Sequence, residues 1–162
     1  MRDRKNKLTI TIFIIYCLIL TFFVMFKGGF SVLADGERSI NLIPFHYDND
    51  VGRIHTREVV LNLLVFVPMG VYLRMLGAKV GKCLLYGVSV SLGFEICQFA
   101  LTMGKADITD IVSNTFGVAV GIFIYALLRR LFDSKTHKIV NAAALAALAL
   151  FLCLATVLFI AN

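Results

Sequence analysis

Five apolar runs, each close to the length of a membrane crossing, leave this 162-residue chain few folds to choose from. A bilayer core takes about 20 mostly apolar residues in helical form. Residues 8–26, 59–76, 83–101, 108–128 and 139–161 each meet that length. With 59% hydrophobic residues and a mean hydropathy of +0.87, the composition excludes a soluble domain of this size. The expected fold is all-α: one polytopic membrane helix bundle over residues 1–162, with about five transmembrane helices and a long loop at 27–58. The first run is too long for a signal-peptide core and is read as a retained helix.

Orientation follows from lysine and arginine. Arg2, Arg4, Lys5 and Lys7 precede the first run, Arg74, Lys79 and Lys82 separate the second from the third, and Arg129, Arg130, Lys135 and Lys138 separate the fourth from the fifth. Only Asp3 and Asp133 accompany them. The opposite links mix Lys27, Arg38, Arg53, Arg57 and Lys105 with Asp35, Glu37, Asp48, Asp50, Glu58 and Asp107. This asymmetry predicts a cytoplasmic N-terminus, an extracytoplasmic C-terminus and an extracytoplasmic loop 27–58. The net charge of +6 is scattered between apolar runs, so membrane lipids and not nucleic acid are the expected partners. Cys17, Cys83, Cys97 and Cys153 lie within apolar runs and read as buried, inert thiols. His46, His55 and His137 form no ligand cluster, so neither a metal nor a cofactor is expected.

Against this background, two carboxylates and three amides stand inside or at the mouth of the runs: Asn62, Glu95, Gln98, Asp110 and Asn114. A charge at bilayer depth costs about 2.5–3.5 kcal/mol on insertion scales, so such groups face a bundle interior or a cavity. In the predicted orientation all five lie toward the outer face. At about 1.5 Å per residue, Glu95 and Asn114 stand roughly 9 Å along their helices from the outer boundary.

Spacing groups them further. Gly87, Ser91, Glu95, Gln98 and Thr102 recur every three or four residues, as do Asp107, Asp110, Asn114, Gly117 and Gly121. Each set forms one helix face, small toward the cytoplasm and polar toward the outside. The third and fourth helices are therefore expected to pack as an antiparallel hairpin, closed below by small residues and open above as a polar cavity. In the second run, Pro68 and Gly70 either kink the backbone and widen that mouth or only shape packing. The fifth run, with Ala142, Ala143, Ala144, Ala146 and Ala147, is read as scaffold without a polar centre.

Ordinary roles stand beside these. Asp107 has the position of an N-cap and Asp110 that of a favourable first-turn charge. Asn62, Gln98 and Asn114 can serve as interhelical hydrogen-bond glue. Glu95 is hardest to explain structurally, because amides alone would hold a bundle without the cost of burying a charge. Protonation, or pairing with Lys105, Arg57 or Arg53, would relieve that cost. In the outer loop, Asn41-Leu42-Ile43-Pro44-Phe45 is an apolar patch, and Pro44 biases Ile43 toward an extended backbone. Its side chains are expected to fold back onto the bundle mouth, as a lid or as an interfacial anchor. His46, Arg53, His55 and Arg57 lie near enough in sequence to meet anionic headgroups.

The order of these motifs resembles the VanZ family of teicoplanin-resistance membrane proteins. The series is Asn41-Leu42-Ile43-Pro44-Phe45, then Asn62, Pro68 and Gly70, then Glu95 and Gln98. Asp107-Ile108-Thr109-Asp110, Asn114-Thr115, Gly117 and Gly121 complete it. The resemblance implies a bacterial multi-pass membrane protein that reduces susceptibility to teicoplanin and related lipoglycopeptides, with no defined reaction to carry over. Many relatives place an arginine shortly before the acidic helix start, where this chain has Lys105. That departure argues against bidentate recognition of phosphate there.

Three functions follow as expectations. The first is a non-enzymatic envelope protein whose outward cavity binds a lipid-linked cell-wall precursor or a lipoglycopeptide through Asn62, Glu95, Gln98, Asp107, Asp110 and Asn114, with Asn41, Pro44, Phe45 and Arg57 in the loop above. The second is an intramembrane enzyme with Glu95 and Asp110 as acid and base, although no Ser-His-Asp order or HExxH motif supports it. The third is an assembly partner of a cell-wall synthesis complex that uses Gly117 and Gly121 as an intermolecular face.

Overall fold

The computed structural model of the chain describes residues 2–25, 40–45, 52–102 and 106–161. Among these, five helices form an all-α bundle: α1 (Arg2–Met25), α2 (Gly52–Met75), α3 (Val80–Ala100), α4 (Ile108–Phe132) and α5 (Thr136–Ala161). Two short strands, β1 (Ile40–Asn41) and β2 (Ala106–Asp107), pair in parallel. A 3-10 turn, Asp133–Lys135, joins α4 to α5.

Four stretches are long and apolar enough to cross a membrane: Lys7–Met25, Thr56–Met75, Val80–Ala100 and Ile108–Leu154. The last has 47 residues and holds both α4 and α5, because the 3-10 turn leaves no break between them. The helices also outrun the apolar windows. Thus α2 begins at Gly52 rather than 59, which removes residues 52–58 from the expected loop. Hydropathy marks bilayer depth, whereas backbone hydrogen bonding continues into polar flanks. Of the rest of that loop, only 40–45 are described; Lys27, Asp35, Glu37, Arg38, His46, Asp48 and Asp50 lie outside the described residues.

Neighbouring contacts fix helix directions. The Tyr16 hydroxyl donates to the Val65 carbonyl (2.7 Å) and Phe13 stacks on Tyr72 at 5.7 Å, so α1 and α2 run antiparallel. Gly87 lies against Val118 and Ser91 against Asn114, so α3 and α4 do the same. α5 runs alongside α1 in the same direction, from Asn141 beside Thr9 to Phe151 near Ile19.

The tightest seam corrects the expected hairpin. Gly117 and Gly121 turn toward α2, not α3. A Cβ built on Gly117 would overlap the carbonyl oxygen of Leu63, and one on Gly121 would overlap that of Val67. From the other side, a Cβ on Gly70 would overlap the carbonyl of Val118. These three glycines let the parallel backbones of α2 and α4 touch, which is the packing use of small residues in membrane helices. α4 is sandwiched between α2 and α3, so its single stripe serves two neighbours. Gly70 thereby has a packing role, and the intermolecular role considered for Gly117 and Gly121 loses its surface.

Two further expectations change. α5 does carry a buried polar group: Asn141 is 6% exposed and donates through Nδ2 to Thr9 Oγ1 (2.9 Å). Among the cysteines, Cys83 is buried and Cys17 half-buried, but Cys97 and Cys153 are exposed on helix surfaces. In a bundle that faces hydrocarbon, an apolar run need not bury its thiols in protein, because the outside is as apolar as the core.

Candidate functional site

The polar residues converge at one end of the bundle, and Asp107 is their hub. It caps α4: its Oδ1 accepts from the Thr109 amide (2.7 Å), and an acidic group here also meets the positive end of the helix. Its own amide donates to Glu95 Oε2 (2.8 Å) across from α3. Its Oδ2 accepts from Asn41 Nδ2 (3.2 Å), where β1 pairs with β2 and Asn41 stands opposite Asp107. Asn41 Oδ1 then accepts from the Ile43 amide (3.1 Å), and the Phe45 amide donates to Thr109 Oγ1 (3.1 Å). The 40–45 segment is thus latched to the start of α4, and the start of α4 hangs from Glu95.

Phe45 has a φ of 56°, in the left-handed region that bulky residues avoid, and its bond to Thr109 helps hold it there. The expected inward fold of this patch is corrected. Leu42, Ile43 and Phe45 are 71%, 59% and 54% exposed, because backbone and amide groups make the contacts and the apolar side chains face outward.

Glu95 is 4% exposed, a burial that an engaged carboxylate tolerates far better than an isolated one. Gln98 donates to the carbonyl of Val24 (3.0 Å) and fastens the end of α1 to α3. Asn114 donates to Ser91 Oγ (2.8 Å), while its Oδ1 finds no protein partner. Asn62, 5% exposed, likewise leaves Nδ2 without one. Asp110 is buried in the first turn of α4, and its carbonyl accepts from Ser113 Oγ (3.1 Å). Arg57 is exposed on α2. Lys105, and the side chains of Arg53 and His55, lie outside the described residues.

Glu95, Asp107 and Asn41 come together directly, Asn114 stands one helical layer below through Ser91, and Gln98 reaches away to α1. Thr109 is the partner that sequence reasoning missed. Its signal was present: a hydroxyl two residues past a capping aspartate is placed to receive a neighbouring chain. The Ser91–Asn114 bond should behave as membrane glue. A double-mutant cycle of Ser91→Ala and Asn114→Ala, read by thermal unfolding in detergent, is expected to give a coupling of about 0.6 kcal/mol. A coupling near zero would show that the pair does not interact.

A family model described as VanZ/LLP1 matches residues 13–129. The chain belongs to the VanZ/LLP1 family. Protein VanZ of Enterococcus faecium is 31% identical over 126 residues, covering 75% of this chain and 75% of that relative. No solved structure matches the chain. The VanZ/LLP1 match takes in every residue of the latch, from Asn41 to Asn114, and ends within α4 before the turn into α5. Membership and the apolar helices together make this a membrane protein.

Proposed function

We propose that this VanZ/LLP1-family protein is a multi-pass protein of the bacterial cell membrane that lowers susceptibility to teicoplanin and related lipoglycopeptides at the outer leaflet. The observation that carries this reading is the latch itself. Polar groups from β1, α3 and the start of α4 converge beside exposed Leu42, Ile43 and Phe45. The lysine and arginine distribution supports an outward placement of this end of the bundle. A ligand with a polar head and an acyl tail, whether lipoglycopeptide or lipid-linked cell-wall precursor, has complementary chemistry. Asn62 Nδ2 and Asn114 Oδ1 are a donor and an acceptor, buried and without a protein partner, that a ligand would reach once this end of the bundle opens.

Glu95 acts here by positioning. Its Oε2 holds the Asp107 amide, which orients the capped start of α4 and, through Asn41, the apolar patch. An acid–base role for Glu95 would require that oxygen to exchange protons while the latch stays closed.

Expression in a glycopeptide-sensitive host tests the proposal. The wild type is expected to protect against teicoplanin and not against vancomycin, which lacks the acyl tail. Glu95→Gln, Asp110→Asn and Asn114→Ala are expected to weaken protection at matched membrane levels. Equal protection against both drugs would overturn the tail-dependent reading.

A further inference from the structure

A cavity of about 340 Å³ lies at the opposite end of the bundle, between Leu8 of α1 and the start of α5, outside the family-matched residues 13–129. The rest of its lining, Ser134 of the 3-10 turn and His137, Lys138, Asn141, Ala142 and Leu145 of α5, passes from polar to apolar in order along one face. Asn141 is 94% buried, by its 6% exposure, and fastens Nδ2 to Thr9; its Oδ1 has no protein partner. The charge is one-sided. Lys138 lines the cavity and Lys135 stands one turn before it, while Asp133 is engaged by Arg129 at 3.6 Å.

From this juxtaposition we propose that the cavity between α1 and α5 binds one anionic phospholipid of the inner leaflet. The phosphate meets Lys138 and Ser134, and an acyl chain follows Leu8, Ala142 and Leu145. Basic pockets between helices on the cytoplasmic side recognise such headgroups, each nearby cation favouring the anionic lipid. The apolar lining beside Lys138 adds what a diffuse basic surface lacks: a seat for the chain next to the charge. The site is independent of the latch and would stand if the resistance reading failed.

Phosphatidylglycerol carries both features. Phosphatidylcholine lacks the net charge, and glycerol phosphate lacks the chain. Melting of the full chain in mild detergent, with each of these added, is the test. Phosphatidylglycerol is expected to raise the midpoint and the other two to leave it in place. Lys138→Glu should weaken that response by roughly thirtyfold in lipid concentration, the scale of reversing one juxtamembrane charge. Lys82→Glu, at the same end but away from the cavity, should leave it unchanged. An equal shift with phosphatidylcholine, an equal shift with glycerol phosphate, or an equal loss in Lys82→Glu would each overturn the proposal.

Discussion

Gly121→Ala is expected to melt far below the wild type, although it adds one methyl group to a helix interior. On an open helix face the same change gains up to about 1 kcal/mol from intrinsic propensity. At Gly121 the new Cβ meets the Val67 carbonyl and stands 3.0 Å from Gly70 Cα, so two backbones have to separate. Overpacking typically costs about 1–3 kcal/mol, and here no flexible side chain exists to yield. Separation would also loosen the matching contacts at Gly70 and Gly117, so Gly117→Ala/Gly121→Ala should yield no folded protein. Gly93→Ala is the control, because nothing lies within 4 Å of its would-be Cβ. It should melt at or slightly above the wild type. If Gly121→Ala and Gly93→Ala behave alike, α2 and α4 do not touch as described.

Glu95→Ala should open the latch while leaving most of the bundle intact. The substitution strips the Asp107 amide of its acceptor, and leaving such a donor unsatisfied costs about 1–3 kcal/mol. Asp107 in turn holds Thr109 and Asn41, so the loss propagates to the 40–45 segment. Hydrogen exchange at the Asp107, Thr109 and Phe45 amides should accelerate markedly, with little change in the interiors of α1 and α2. Glu95→Gln retains an acceptor oxygen and should show a smaller effect. Teicoplanin protection should follow the same order: wild type, then Glu95→Gln, then Glu95→Ala. Unchanged exchange at Asp107 in Glu95→Ala would show that the carboxylate does not hold the start of α4.

What the sequence disclosed, and what it withheld, divides along a physical line. Helices announced themselves through run length, Glu95 and Asn114 through the cost of polar groups at bilayer depth, and Asp107 through its place as an N-cap. Partner choice was harder to read. Gly117 and Gly121 share a face with Asp110 and Asn114, yet α4 has two neighbours and helical periodicity does not say which one a stripe meets. The latch was hidden for a different reason. It joins residues 66 apart in sequence through strands of two residues, too short to leave a pattern. Asn141 escaped notice because a single amide in an alanine-rich run reads as surface until its neighbour Thr9 is known.

The α2–α4 seam also constrains biosynthesis. Gly70 and its counterpart Gly121 are separated in chain order by the whole of α3, so their union waits until the later segment leaves the ribosome. At roughly 5–20 residues per second, that delay lasts several seconds. During it, Asn62 and the notch at Gly70 are exposed to lipid or to the insertion machinery. Threading therefore precedes closure, and a slow or stalled ribosome within α3 would prolong the most vulnerable stage in the life of this protein.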